Sequence, residues 1–178
     1  TVINPADDVE AKAAVLAMAD YAGPTYMRFG RLAAPIFNDK DTYKFELGKG
    51  VQLRDGDDIT IVATGLMVAQ ALEAADALKG QGINARVINI HTIKPIDKDI
   101  IIKAAKETGK IVTVEEHSII GGLGSAVCDV LCENYPVPVT KIGVMDTFGH
   151  SGPAAALLEE FGLCADNIAN TVKKVLGK

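Results

Sequence analysis

The stretch "DITIVATGLMVAQALEAADALKGQGINARVINI", residues 58–90, predicts the fold of most of this chain. Its first segment, "DITIVATG" at 58–65, carries β-branched apolar side chains and predicts a buried strand. A helical pattern follows and ends near Gly80 and Gly82, because glycine readily takes the left-handed conformation that closes helices. Residues 84–90 then predict a second strand. This order predicts two parallel strands joined by a right-handed helical crossover.

The same alternation continues to the C-terminus. The further predicted strands are residues 110–116 and 137–144, and the further predicted helices are residues 96–109, 121–135, 152–162 and 165–178. Asp97 is placed to cap the first of these helices and Gly109 to end it. Near-continuously apolar strands that alternate with helices indicate a mainly parallel sheet covered on both faces. We therefore predict an α/β domain over residues 56–178.

The N-terminal part predicts a separate strand, helix and strand. "TVIN", residues 1–4, is β-prone, and residues 5–21 predict a helix with Asp7 as its cap and Glu10 at the capping-box spacing. The helix carries an apolar stripe, which consists of Val9, Ala13, Leu16 and Ala17. After a turn, Tyr26 to Phe29 predicts a short strand. Because the chain begins at Thr1 directly on a strand, we expect it to be cut from a longer protein.

A connector without a regular spacing of apolar residues joins the two parts. Residues 35–58 are rich in charges and glycine and carry one strand-like segment, "KGVQL" at 49–53. An irregular segment of this length between two patterned regions is a candidate domain boundary.

Composition excludes several classes of protein. The net charge of −5 and the pI near 5.2 argue against nucleic-acid and anionic-membrane partners. No apolar run approaches the roughly 20 residues of a membrane span, and no signal-peptide pattern is visible, so we expect a cytoplasmic protein. The cysteines, Cys128, Cys132 and Cys164, form no CxxC pair, which favours packing over a disulfide or zinc role. The histidines, His91, His117 and His150, lack metal-ligand spacing, and we expect no metal site.

A glycine-rich segment, "EEHSIIGGLGSAV" at 115–127, partly matches a dinucleotide fingerprint, with Asp146 where a ribose-binding acid would stand. Two features oppose that interpretation. The glycines follow the strand only after five residues, although a pyrophosphate site needs them almost at once. The acidic side chains of Glu115 and Glu116 stand at the strand end. We therefore interpret Gly121, Gly122 and Gly124 as a tight turn that lets a helix start pack closely.

Two arginines are the charges best suited to bind an anion. Arg28 and Arg31 stand at the end of a predicted strand, where a guanidinium can bind phosphate or carboxylate through two hydrogen bonds. An ion pair with the acidic connector is an equally good interpretation of the residues alone. In "FGHSG", residues 148–152, the spacing does not fit a nucleophile motif, and Ser151 is predicted to cap a helix that has Pro153 near its first position.

These segments and their order resemble those of the thiamine-diphosphate enzymes of the transketolase group. The motifs are "NPADDVEAKAA", "GPTYMRFGR", "GDDITIVATGLMVAQALEAADAL", "INARVINIHTIKPID", "IVTVEEHSIIGGLGSAV" and "FGHSG", and they cover essentially the whole chain. The small C-terminal subunits of split transketolases are the nearest resemblance. Two of the motifs, "TIKPID" and "EEHSIIGGLGSAV", are shared with 1-deoxyxylulose-5-phosphate synthase, and "FGHSG" favours transketolase.

The resemblance implies a layout and a cofactor. Residues 1–38 would be the end of the pyrimidine-binding domain, 39–55 a connector and 56–178 the transketolase C-terminal domain, with a mixed, mainly parallel five-stranded sheet. The family binds thiamine diphosphate and Mg²⁺ through residues that lie outside this sequence. We therefore expect no cofactor-binding, metal-binding or catalytic residue here, and no activity of the chain alone.

The resemblance also implies a substrate contact and partners. Arg31 matches the arginine that binds the substrate's phosphate when a two-carbon ketol unit moves between sugar phosphates. The expected partner is the diphosphate-binding N-terminal half of a transketolase, in a homodimer or heterotetramer. Two alternatives stay open: a part of 1-deoxyxylulose-5-phosphate synthase, or an interaction domain like that of the 2-oxoacid dehydrogenase β subunits.

Overall fold

The structure is a computed structural model that describes residues 1–31 and 33–178. Its strands are β1 (Val2–Ile3), β2 (Tyr26–Met27), β3 (Val51–Arg54), β4 (Ile59–Ala63), β5 (Ala85–Asn89), β6 (Thr92–Lys94), β7 (Ile111–Ser118) and β8 (Val139–Val144). Its helices are α1 (Asp8–Asp20), α2 (Met67–Lys79), α3 (Lys98–Thr108), α4 (Leu123–Asn134), α5 (Ala154–Glu160) and α6 (Ala165–Leu176). Within the described residues, no helix is both long and apolar enough to cross a membrane.

The main sheet has five strands in the order β3-β5-β4-β7-β8. The four strands β5, β4, β7 and β8 are parallel, and β3 pairs antiparallel with β5 at one edge. Every residue of β4 and β5 is buried, which explains why their sequences are continuously apolar and do not alternate. The predicted mixed, mainly parallel sheet is therefore confirmed. The strand-like segment of the connector is β3, which belongs to this sheet.

Two apolar layers cover the two faces of the sheet. Helices α2 and α6 pack on one face, around Met67, Leu78 and Ile168. Helices α3 and α4 pack on the other face, around Ile101, Leu123 and Leu131. The predicted placement of helices on both faces is confirmed.

The helix-end predictions had mixed outcomes. Asp97 caps α3 by accepting a hydrogen bond from Ile100 N at 3.3 Å, and Gly109 ends it with φ of 69°. Both predictions are confirmed. The prediction for Ser151 is wrong, because Pro153 occupies the cap position of α5 and no side chain bonds there. A proline at that position supplies fixed extended geometry without a capping side chain.

The N-terminal part joins the rest of the chain through a second sheet, in the order β2-β1-β6. Strand β6 follows β5 directly and was not predicted; it pairs antiparallel with β1, across about ninety residues of sequence. Strand β1 pairs in parallel with β2, as two strands flanking α1 should. The predicted cap of α1 is confirmed, since Asp7 accepts a hydrogen bond from Glu10 N at 2.9 Å.

The apolar stripe of α1 does not face the core. Leu16 is 65% exposed, whereas Glu10 and Ala14 are fully buried. The buried face of α1 meets the polar ends of strands in the main sheet, so it carries a carboxylate and a small residue.

Candidate functional site

The candidate site lies at the carboxyl edge of the main sheet. Strand β4 leads into α2 on one face, and its neighbour β7 leads into α4 on the other face. The carboxyl ends of β4 and β7 therefore form a topological switch point, where open α/β sheets bind ligands. The N-terminal part covers this edge, because Asn4 N donates to His91 O at 2.8 Å and Thr64 Oγ1 donates to Asn4 O at 3.4 Å.

A buried carboxylate on α1 fixes the N-terminal part over this edge. Glu10 accepts hydrogen bonds from the Tyr43 hydroxyl, from Asn89 Nδ2 at 2.8 Å and from Ala6 N at 2.7 Å. Burial raises the pKa of Glu10, and these three donors oppose the shift. One side chain thus joins α1, the connector and the end of β5. Sequence reasoning missed this role, and only the capping-box spacing pointed to Glu10.

The glycine-rich segment holds a carboxylate of the protein itself. Glu115 is 1% exposed and accepts hydrogen bonds from Leu123 N at 2.7 Å and Gly124 N at 2.8 Å, the first amides of α4. A Cβ on Gly122 would overlap this carboxylate, and one on Gly124 would lie 2.8 Å from Thr113 Oγ1. The glycines therefore permit the close approach that was predicted. Because Glu115 occupies the place at a helix N-terminus where a phosphate would bind, this loop does not fit a diphosphate group.

The histidines do not form a metal site. The described part of the chain contains no group of three or more His, Cys, Asp or Glu side chains placed to hold a metal ion. His91 is fully buried against Phe45, with ring centroids 4.3 Å apart, and burial lowers its pKa to about 4. His117 is half exposed at the end of β7, and His150 bonds Glu160 at 2.9 Å on the surface.

The two candidate arginines lie at the same edge but in different surroundings. Arg28 is half-buried and donates from Nη2 to Glu116 O at 3.1 Å, at the end of β7. Arg31 is exposed. Among residues 1–31 and 33–178, no ion pair involves either arginine, so the interpretation as a link to the acidic connector finds no support there. Between them, Gly30 lies against Leu66 at the start of α2.

Large exposed apolar side chains lie in the segments that follow β2, β7 and β8. Ile120 lies in the loop after β7, and Met145 and Phe148 follow β8. Phe29, between the two arginines, is 57% exposed, and Phe148 is fully exposed. We call these four residues the edge patch. Large exposed apolar side chains at one edge of a sheet are candidates for burial by a partner.

Comparison with known proteins identifies the family. Residues 48–168 match the family model of the transketolase C-terminal domain. This chain belongs to the transketolase family. A 6-deoxy-6-sulfo-D-fructose transketolase subunit from a Clostridium species is 46% identical over 175 residues, which cover 98% of this chain and 54% of the relative.

A solved structure and a synthase extend the comparison. The structure of a split-gene transketolase, described as an inactive beta4 tetramer, is 49% identical with a TM-score of 0.94 and covers 99% of this chain and 57% of that one. A 1-deoxy-D-xylulose-5-phosphate synthase from Heliobacterium modesticaldum is 40% identical over 176 residues, which are 98% of this chain and 27% of the synthase. The chain spans about half the length of its transketolase relatives.

The family assignment gives the site its context. The transketolase family uses thiamine diphosphate, and the chain is the C-terminal part of an enzyme of this family. The glycine-rich loop does not fit the diphosphate of that cofactor, because Glu115 occupies its amides. Arg31 is an exposed cation that follows the small sheet.

Proposed function

We propose that this chain is the C-terminal part of a transketolase subunit, and that the complete enzyme moves a two-carbon ketol unit between sugar phosphates. Thiamine diphosphate supplies the carbanion chemistry when bound, and the partner half would hold its diphosphate and Mg²⁺. In this proposal, the chain contributes substrate positioning and subunit assembly. The observation that carries it is the exposed guanidinium of Arg31 at the carboxyl edge of the sheet.

Arg31 would bind the substrate's phosphate. A guanidinium forms two parallel hydrogen bonds to phosphate oxygens, and Arg31 has no acidic partner among the described residues that would compete for it. The edge patch would be covered by the partner half. Closure of this edge by the partner half would exclude water from the phosphate and strengthen its binding.

Replacement of Arg31 tests the proposal in the reconstituted enzyme. Arg31→Ala removes a charge-assisted contact worth roughly 1.5–3 kcal/mol. We expect KM for phosphorylated sugars to rise and kcat/KM to fall about 10–100-fold. Unphosphorylated sugars should be affected much less. Lys103→Ala, at an exposed position on α3, is the charge-matched control. It should leave the kinetic constants for both kinds of sugar unchanged. An equal loss for both kinds of sugar would show that Arg31 is structural.

The chain alone is proposed to be inactive and to lack affinity for the cofactor. Glu115 fills the only helix N-terminus that the sequence offered for a phosphate, so titration with thiamine diphosphate and Mg²⁺ in a calorimeter should give no saturable heat. Saturable binding at micromolar concentration would contradict this part of the proposal. The oligomeric state of the chain alone, measured by ultracentrifugation, would show whether it assembles like the tetrameric relative.

A second candidate is a part of 1-deoxyxylulose-5-phosphate synthase. The 40% identity to such a synthase favours it, although the chain spans little of the synthase's length. The two enzymes differ in their donor substrate. Consumption of pyruvate by the complete enzyme would favour the synthase, and ketol transfer without pyruvate would favour transketolase.

A further inference from the structure

A cleft of about 540 Å³ lies beside the switch point, between the small sheet and α4. Thr64, which follows β4, and Glu115 and His117 of β7 line its inner end. Its volume is within the roughly 300–1,000 Å³ of small-molecule sites. It is separate from the exposed position of Arg31, which does not line it.

One face of the small sheet forms the first wall. Val2 pairs in register with Tyr26 on one side and with Lys94 on the other. Arg28 continues the ladder through its backbone N–H to Ile3 O at 3.0 Å. Because side chains alternate along a strand, Val2, Tyr26, Lys94 and Arg28 all point to one face, and all four line the cleft.

A stripe along α4 forms the opposite wall. Ser125, Asp129 and Glu133 are spaced by four residues, so they lie above one another on the helix. Val130, the residue after Asp129 on α4, and Ile93 of β6 add apolar surface to the cleft. The cleft therefore has an apolar body and charged groups on both walls.

The charges in the cleft are unevenly distributed between its two walls. Glu133 lies 3.8 Å from Lys98 Nζ. Glu115 accepts two amide hydrogen bonds at the helix N-terminus. Arg28 donates only to a neutral carbonyl, and in the described part of the chain neither Arg28 nor Lys94 is in an ion pair. Over the whole cleft the three cations, Arg28, Lys94 and Lys98, equal the three carboxylates, Glu115, Asp129 and Glu133. The charges are separated, however, because the small-sheet wall carries Arg28 and Lys94 without a carboxylate of its own, and Asp129 and Glu133 lie on the α4 wall.

We propose that this cleft binds a small amphipathic anion, a carboxylate or phosphate attached to an apolar body. The anionic group lies between Arg28 and Lys94, and the apolar body packs against Val2, Ile93 and Val130. Arg28 is already oriented by its bond to Glu116 O, so less side-chain entropy is lost on binding. The proposal does not depend on ketol transfer or on Arg31.

Titration of the isotope-labelled chain, followed by amide NMR, tests the proposal with four probes. Phenyl phosphate and benzoate carry both parts of the expected ligand, and they distinguish a phosphate from a carboxylate as the anionic group. Benzyl alcohol lacks the charge, and inorganic phosphate lacks the apolar body. We expect one or both aromatic anions to shift the amides of Lys94, Gly122 and Ser125 in a saturable manner. An aromatic anion that binds should do so at least tenfold more tightly than benzyl alcohol and inorganic phosphate.

Variants distinguish binding in this cleft from non-specific attraction of anions to the protein surface. The double variant Arg28→Met, Lys94→Met should bind the aromatic anions at least tenfold more weakly. Lys12→Met with Lys103→Met removes the same charge from exposed positions on α1 and α3 and should leave binding unchanged. Ala126→Trp fills the cleft without changing charge and should abolish binding, which keeps the test decisive if the double variant does not fold.

Three results would overturn the proposal. The first is shifts scattered over the surface or absent altogether. The second is binding of inorganic phosphate as tight as that of the tighter-binding aromatic anion. The third is an equal loss in the Lys12, Lys103 control. A repeat of the titration on the chain assembled with its partner must also show binding at the same amides, and its loss there would overturn the proposal for the working enzyme.

Discussion

Replacement of Glu115 by glutamine tests the structural role of the glycine-rich segment. The carboxylate accepts hydrogen bonds from Leu123 N and Gly124 N, one with each oxygen. Glutamine has a single acceptor oxygen, and its NH₂ group would face the other amide. One buried N–H is then left without an acceptor, which costs about 1–3 kcal/mol. For a chain of this length, about 2 kcal/mol corresponds to a fall in Tm of about 4–8 °C.

The pH dependence of this loss has a defined sign. Burial raises the pKa of Glu115 above its usual value of 4.5, although the two amides oppose the shift. The folded chain therefore holds this proton more tightly than the unfolded chain does. The stability that Glu115 contributes is fully present below about pH 4.5 and decreases as the pH rises through the folded pKa. The stability gap between wild type and Glu115→Gln should be wider at pH 4 than at pH 7.

Urea unfolding followed by circular dichroism at several pH values measures both effects. Glu116→Gln is the matched control, since this neighbouring side chain is only partly buried and should change stability by less than about 0.5 kcal/mol. The reasoning is refuted if Glu115→Gln is as stable as wild type, or if the control loses as much. The difference in the free energy of unfolding between wild type and Glu115→Gln should not be larger at pH 7 than at pH 4. A larger difference at pH 7 would refute the assigned direction of the pKa shift.

Two further substitutions probe neighbouring contacts. Glu10→Gln leaves Ala6 N facing an NH₂ group, and we expect it to lower stability by about 1–3 kcal/mol and to speed amide exchange in α1. Unchanged exchange would show that Glu10 does not hold that helix. Gly122→Ala places a methyl group against the carboxylate that caps α4, and should cost about 1–3 kcal/mol in urea unfolding. Gly149→Ala, where a Cβ meets open space, is its control, and equal losses would contradict the expected overlap.

The architecture of residues 56–178 could be predicted because the evidence for it is local. Fully buried strands need continuous apolar runs, and the helices between them need a period of 3.6 residues. Caps such as Asp97 and Gly109 act within one turn of their own helix. Each of these signals is complete within about fifteen residues of sequence.

The contacts over the carboxyl edge could not be predicted in the same way. Strand β6 has three residues and forms only because β1, about ninety residues earlier, supplies its hydrogen bonds. The fully buried residues of α1 are Glu10 and Ala14, which lie outside its apolar stripe. The Glu10 carboxylate can be buried because Tyr43 and Asn89, which lie in distant segments of the sequence, donate hydrogen bonds to it. Periodicity carries no information about such partners.

The sequence by itself determined the α/β class, the helix ends at Asp97 and Gly109, and the resemblance to transketolases. It also indicated, through Glu115 and Glu116, that the glycine loop is a poor phosphate site. Tertiary structure alone decided that Glu115 caps α4, that Arg28 and Lys94 line one cleft, and that Arg31 lies in the open. The physical reason is that hydrogen-bond partners and charge balance depend on groups that meet only after the chain folds.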